Sequence, residues 1–281
     1  VVEIDVLKEM QDHLRKEFVS KNQTQNKGSE CPYCHGTGYE YMDDGGQGTC
    51  KPCRKGCYQR MVMNSRLSFA SIPESFKDIR IGSFNTDIYS TQNNRNKAVS
   101  ALKAIKYWLH HFETMKQRGM GLYLYSSIKG SGKTRMAVSI ANELIYDKQI
   151  QVKIATSLQI LNEIKASWDR QGGERSEIKL LDFLSTTKVL IVDDFGVENS
   201  ERDWIREKFY HIINTRYVDN KVTIFTSNSS LESLRYDDRI TNRIKERTYQ
   251  IPFPEESVRD IIARDNMREL AEMIRRGDEC G

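Results

Sequence analysis

The stretch GSGKT at residues 130–134 sets two glycines, a lysine and a threonine in an order suited to cradling phosphates. Backbone N–H groups of a glycine-rich loop, and of the helix that follows, can wrap phosphate oxygens. The Lys133 ammonium can bridge β and γ oxygens, and the Thr134 hydroxyl can ligate Mg²⁺. The candidate nucleotide contacts are accordingly Lys129, Gly130, Ser131, Gly132, Lys133, Thr134 and Arg135. Ser127 stands where the pattern usually has its first glycine, so a positive φ there is expected to be harder to adopt.

Three further stretches carry groups that could act on such a ligand. KVLIVDDFG, residues 188–196, reads as a buried strand ending in Asp193 and Asp194. Carboxylates at the C-terminal edge of a parallel strand face the crevice where ligands bind, so Asp193 can hold Mg²⁺ and Asp194 can polarise an attacking water. VTIFTSN ends in Asn228, whose amide can orient that water or sense the γ-phosphate. Position alone equally allows Asn228 to cap a helix starting near Leu231. In DDRITNRIKER, Arg239, Arg243 and Arg247 recur every four residues and share one helix face. A solvated basic face is the plain reading; an arginine presented to a neighbouring subunit's γ-phosphate is the functional one.

Five of the six cysteines lie between Cys31 and Cys57, with Cys280 far away. CPYC supplies Cys31 and Cys34, and CKPC supplies Cys50 and Cys53. Two C-x-x-C knuckles fit a tetrahedral Zn²⁺ site, whereas a redox dithiol normally stands alone beside a βαβ unit. Cys57 and His35 are surplus, and spacing leaves open that one replaces a nominal ligand. A segment this short buries little apolar surface, so zinc is expected to serve folding.

The elements that must position these groups follow from periodicity. Val6, Met10, Leu14 and Phe18, at steps of four, predict a helix over residues 1–20. A small N-terminal domain at 1–60, a linker at 61–75 containing Pro73, a large domain at 76–255 and a helical tail at 256–281 are expected. From about residue 95, helical and apolar strand patterns alternate, with strands in GLYLYSS, QVKIATS, KVLIVDD and KVTIFTSN. Such alternation implies crossovers and a parallel sheet covered on both faces, an α/β architecture. One helix is read over SLQILNEIKASWDRQGGERSEIK, with Lys165, Arg170, Arg175 and Lys179 around Trp168 as a possible single-stranded DNA contact. The simpler role for Trp168 continues the packing face of Ile160, Leu161 and Ile164. A net charge of +4 permits a nucleic-acid partner without requiring one. No run approaches a membrane span, and the first ten residues carry acids where a secretory leader would be basic. No membrane association and a cytoplasmic location are expected.

Taken in order, IPESF, KGSGKTRMAVSIANEL, KVLIVDDFG, INTRY, VTIFTSN and RITNRI resemble the AAA+ ATPase of the DnaC/DnaI helicase-loader family, related to DnaA and to the IstB transposition ATPases. The resemblance covers about residues 70–253. It implies an AAA+ P-loop fold, preceded here by a zinc-binding domain, and ATP hydrolysis to ADP and phosphate between subunits of a homo-oligomer. Lys133 and Thr134 then match Walker A, Asp193 and Asp194 Walker B, Asn228 sensor 1, and Arg243 the arginine finger. The partners implied are a replicative hexameric helicase, gripped by the zinc domain, and single-stranded DNA. Asp194 stands where many such ATPases have glutamate, which suggests slow, switch-like turnover. IstB proteins typically lack the cysteines, which favours a loader; a transposition helper and a zinc adaptor with a vestigial pocket are the alternatives.

Overall fold

A computed structural model describes residues 31–43, 48–168, 173–198 and 202–276. The expected helix over residues 1–20 and Cys280 lie outside the described residues. The chain divides into two compact units, residues 1–65 and 66–281.

The smaller unit is built on an antiparallel hairpin of β1 (Tyr39–Asp43) and β2 (Gly48–Pro52), in which Tyr41 pairs with Cys50. A knuckle precedes β1, and a second follows β2 and runs into α1 (Cys57–Ala70). Helix α1 therefore occupies much of the segment expected as a linker over 61–75.

In the larger unit, α2 (Gln92–His110) and α3 (Phe112–Gln117) lead to β3 (Gly121–Tyr125), followed by α4 (Lys133–Tyr146) and β4 (Val152–Thr156). Two helices follow, α5 (Ser157–Trp168) and α6 (Gly173–Thr186), where one was expected. Then come β5 (Val189–Asp193), α7 (Asp203–Val218), β6 (Val222–Ser227), α8 (Asp238–Arg247), β7 (Thr248–Pro252) and α9 (Val258–Arg276). The five strands form one parallel sheet in the order β4-β5-β6-β3-β7. All five residues of β5 and the first four of β3 are buried, as expected for strands covered on both faces. Strand β7 was not expected; it pairs with β3 along the sheet edge, Gly121 opposite Thr248.

Helix α4 buries Met136, Ile140 and Leu144, the stripe its 3.6-residue period dictates. Leu161 and Ile164 of α5, Leu184 of α6, and Phe209 and Ile212 of α7 share one apolar core with Leu190, Val192 and Phe225 of the sheet. This packing fixes the C-terminal ends of β3, β5 and β6 side by side; the catalytic candidates Asp193 and Asn228 lie at or just beyond the ends of β5 and β6, and Lys133 opens the helix reached by the loop from the end of β3. Among the described residues no helix is long and apolar enough to cross a membrane.

Candidate functional site

The loop between β3 and α4 turns on two left-handed glycines, Gly130 at φ 79° and Gly132 at φ 96°. A Cβ at Gly130 would stand 2.9 Å from the Ser257 hydroxyl, and one at Gly132 would stand 3.1 Å from the Tyr89 hydroxyl, so both strain and crowding select glycine. Ser127 needs no positive φ, and its hydroxyl donates to Glu255; the expected difficulty there does not arise. Gly132 caps α4 without a side-chain hydrogen bond, which leaves the first N–H groups of the helix for an anion. Lys133 is buried and folds onto the loop, donating to the carbonyls of Ile128 at 3.0 Å and Ser126 at 3.3 Å and to the Ser131 hydroxyl at 3.2 Å. Burial pulls its pKa below the ordinary lysine value. Tyr89 braces the loop from beneath, its hydroxyl donating to the Ser131 carbonyl at 2.9 Å.

Thr134 opens α4 opposite the end of β5, and its hydroxyl donates to the two carboxylate oxygens of Asp193 at 3.0 and 3.1 Å. Thr226 of β6 donates to the same carboxylate at 2.5 Å. Burial raises the Asp193 pKa, with the neighbouring Asp194 charge acting in the same direction against the Thr226 hydrogen bond. A hydroxyl and a carboxylate this close are hard oxygen donors suited to Mg²⁺, and the pair fits the role assigned to it. Asp194 takes the left-handed region at φ 53°, held there by its N–H to the Thr226 hydroxyl at 2.9 Å and by the Ser157 hydroxyl to its carbonyl at 3.0 Å. Asn228 follows β6 directly, half-buried, and its amide has no hydrogen-bond partner among the described residues. It caps no helix: only a short 3₁₀ turn, Leu231–Ser233, follows, with Ser230 at its N-cap. Lys129 and Arg135 flank the loop, and Arg135 bonds the Ser83 hydroxyl at 3.1 Å.

Arg243 is placed with α7. Its Nε donates to Asn214 Oδ1 at 2.9 Å and Nη1 to the Arg239 carbonyl at 2.6 Å, while the guanidinium lies 5.2 Å from the Tyr210 ring centre. Arg239 and Arg247 stack on the same helix's Tyr210 and Tyr217. The basic face is therefore ordered on tyrosines. Trp168 meets Trp204 edge to face at 5.5 Å and is about half exposed, so it does not continue the buried face of Ile160, Leu161 and Ile164.

The structure brings together Cys31, Cys34, Cys53 and Cys57, with all four sulfurs within 4.8 Å of one another. This corrects the expected ligand Cys50, which is exposed on β2, while Cys57 completes the cluster. The reason is geometric: Cys50 belongs to the hairpin ladder opposite Tyr41, whereas the turn after Cys53, closed by Gly56 N–H to the Cys53 carbonyl at 2.9 Å, starts α1 with Cys57 facing inward. Four thiolates about 2.3 Å from a tetrahedral Zn²⁺ stand about 3.8 Å apart, and the Cys31 and Cys53 sulfurs are 3.7 Å apart. The cluster fits zinc. Hydrogen bonds from the Tyr33 and Cys34 backbone pull the Cys31 pKa down to about 6, while burial pushes Cys53 up to about 12. His35 lies outside the cluster.

The IstB-like ATP binding protein family matches residues 93–249, more than half of the 281-residue chain and a span that includes Lys133, Thr134, Asp193, Asp194 and Asn228. The chain belongs to that family. Among its relatives, this IstB-like chain is 35% identical over 120 residues to the replicative helicase loader DnaI of Bacillus subtilis (strain 168), covering 42% of the chain and 36% of the relative. It is 25% identical over 149 residues to the replicative helicase loader DnaC of Escherichia coli (strain K12), covering 52% and 58% respectively. The chain thus spans about a third to three fifths of the length of these relatives. A crystal structure of the DnaC helicase loader superposes with a TM-score of 0.54 at 25% identity, covering 64% of this chain and 99% of that one. A crystal structure of DnaI gives 0.52 at 26%, covering 65% and 94%. The replication initiator DnaA, bound to AMPPCP and single-stranded DNA, shares the fold at a TM-score of 0.51 and 18% identity, over 71% of this chain and 56% of DnaA. The larger unit has the AAA+ fold.

Proposed function

We propose that this IstB-like protein is an ATP-dependent loader that binds a replicative hexameric helicase and helps place it on single-stranded DNA. The observation that carries the reading is the convergence of Lys133, Thr134 and Asp193 at one edge of the sheet, in a chain whose relatives include two replicative helicase loaders. Lys133 turns from the loop carbonyls to the β and γ oxygens of ATP, and Thr134 and Asp193 hold Mg²⁺, which neutralises charge on those oxygens. Asp194, aimed by its fixed backbone, polarises the attacking water, and Asn228 orients it. Arg243 acts on the nucleotide of a neighbouring copy in a homo-oligomer. Because Asp194 is one methylene shorter than glutamate, turnover is slow and switch-like.

The four-cysteine cluster holds one Zn²⁺ and keeps the smaller unit folded for helicase docking. A transposition helper is the second reading, in keeping with the match to the IstB-like ATP binding protein family, since the sequence also resembles the IstB transposition ATPases. Co-purification separates them: with ATP, the full chain retains a hexameric replicative helicase, and a Cys31→Ser/Cys34→Ser variant loses the helicase while still binding nucleotide. Failure to retain the helicase under any nucleotide state would overturn the loader assignment.

A further inference from the structure

Arg243 is fixed in an unusual way for a surface cation. Its five N–H groups include three that are used, on the Asn214 side-chain oxygen at 2.9 Å, the Arg239 carbonyl at 2.6 Å and the Tyr210 hydroxyl at 3.5 Å. Two rings flank it, with centres 5.2 Å and 5.6 Å away at Tyr210 and Tyr217. Every one of these partners is neutral, and among the described residues no carboxylate pairs with it. Its neighbour Arg239, by contrast, pairs with Asp237 at 3.0 Å. Side-chain entropy opposes fixing an arginine, and fixing one without a counter-ion keeps its full charge and two N–H groups for an anion from outside.

We infer that Asn214 is a positioning residue for Arg243, which orients the guanidinium without neutralising it for a terminal phosphate on a second copy of this chain. The inference rests on the proposed action of Arg243 in trans. Asn214 is the natural site for the device: it lies two residues before the buried Arg216, on the face of α7 that carries Tyr210 and Tyr217, so its amide is held to the sheet through a rigid helix.

The test is ATP turnover by full-length protein in mixed oligomers, with fluorescent-nucleotide affinity measured alongside. Asn214→Ala should bind nucleotide as the parent does and turn over about 10- to 100-fold more slowly, the range expected when a catalytic group is displaced by about an ångström. Mixed with Asp194→Asn, which keeps a sound Arg243, it should recover turnover. Mixed with Arg243→Ala it should not, because neither copy then offers a positioned arginine. A merely structural defect in its own pocket would be complemented by Arg243→Ala, and that recovery would overturn the inference. Asn214→Asp, which matches the native shape, covers the case in which the alanine variant fails to fold. It holds the guanidinium but neutralises it, so turnover should again fall and recover with Asp194→Asn; parental turnover in this variant would equally overturn the inference. If Arg243→Ala itself gains nothing from Asp194→Asn, the action in trans has failed instead.

Discussion

Replacing Arg216 by methionine should destabilise the larger unit more than any other single change on α7. The side chain is 1% exposed, and among the described residues no acid pairs with it. Its Nε donates to the Thr223 hydroxyl at 2.8 Å, Nη1 to the carbonyls of Leu184, Ser185 and Thr187 at 2.8, 3.2 and 2.8 Å, and Nη2 to the Val222 carbonyl at 2.5 Å. Leu184 and Ser185 lie in the last turn of α6, where carbonyls lack intrahelical donors and a cation is favoured. Burial pushes the Arg216 pKa down to about 9, so the charge is retained at neutral pH. Methionine keeps the apolar stem but strips four carbonyls and a hydroxyl of this donor, at about 1–3 kcal/mol for each acceptor that water cannot reach. Relief of the buried charge offsets part of that sum, leaving a net loss of about 3–5 kcal/mol. For a unit of roughly 200 residues this lowers Tm by about 6–20 °C. Lysine, with three donors and no planar fork, should recover about half. Thermal denaturation followed by circular dichroism measures both variants, and a methionine variant melting within about 2 °C of the parent would refute the reasoning.

The remaining predictions concern the two candidate sites. Cys57→Ser should weaken zinc binding by more than the about 100-fold cost of disturbing a ligand's supporting bonds, while Cys50→Ser should leave metal content unchanged; chelator competition reads both. Lys133→Ala should stay folded, melting somewhat below the parent because three acceptors of the loop lose their donor, yet lose most nucleotide affinity in a fluorescence titration, because it removes the loop's only buried cation among the described residues. Ser127→Gly should leave nucleotide affinity within about twofold of the parent, since the loop's left-handed residues are Gly130 and Gly132; a large gain would show that Ser127 strains the cradle.

The parts of the fold legible in the sequence are those whose burial is complete and local. Strands β3, β5 and β6 read as strands because nearly every residue in them is buried, and α4 reads as a helix because Met136, Ile140 and Leu144 recur on one stripe. Strand β7 did not, because TYQIP mixes exposed Tyr249 and Pro252 with buried Thr248 and Ile251 and owes its conformation to pairing with β3. The candidate phosphate groups were legible for the same reason as the helices, since loop, lysine and threonine are consecutive. Cys57 was left as a surplus candidate because two C-x-x-C pairs satisfy a simple pattern. The available signal was the glycine at position 56 in a C-x-x-x-C segment, a turn directly preceding a helix.

What no local reading could supply is how the end of β5 is tied to α8, because that link is made by residues far apart in sequence. Asp194 leads into Phe195, whose ring stacks on Tyr236 with centres 4.9 Å apart and planes 7° from parallel. Two positions past Phe195's neighbour Gly196, Glu198 is buried, accepts the Gly196 N–H at 3.1 Å and takes the Tyr236 hydroxyl proton donor as its second partner. Tyr236 in turn adjoins Asp237, the N-cap of α8, whose carboxylate accepts the Ile240 N–H at 3.1 Å. A buried carboxylate satisfied by a phenol and a backbone N–H is stable only while both segments hold their places. The same contacts that fix the loop beyond Asp194 therefore fix the start of the helix that carries Arg243. The INTRY segment completes the arrangement from the other side, with Arg216 fastening α7 to the sheet and Asn214 fastening Arg243 to α7. The groups proposed to act on two different nucleotides are thus parts of one rigid assembly within each copy.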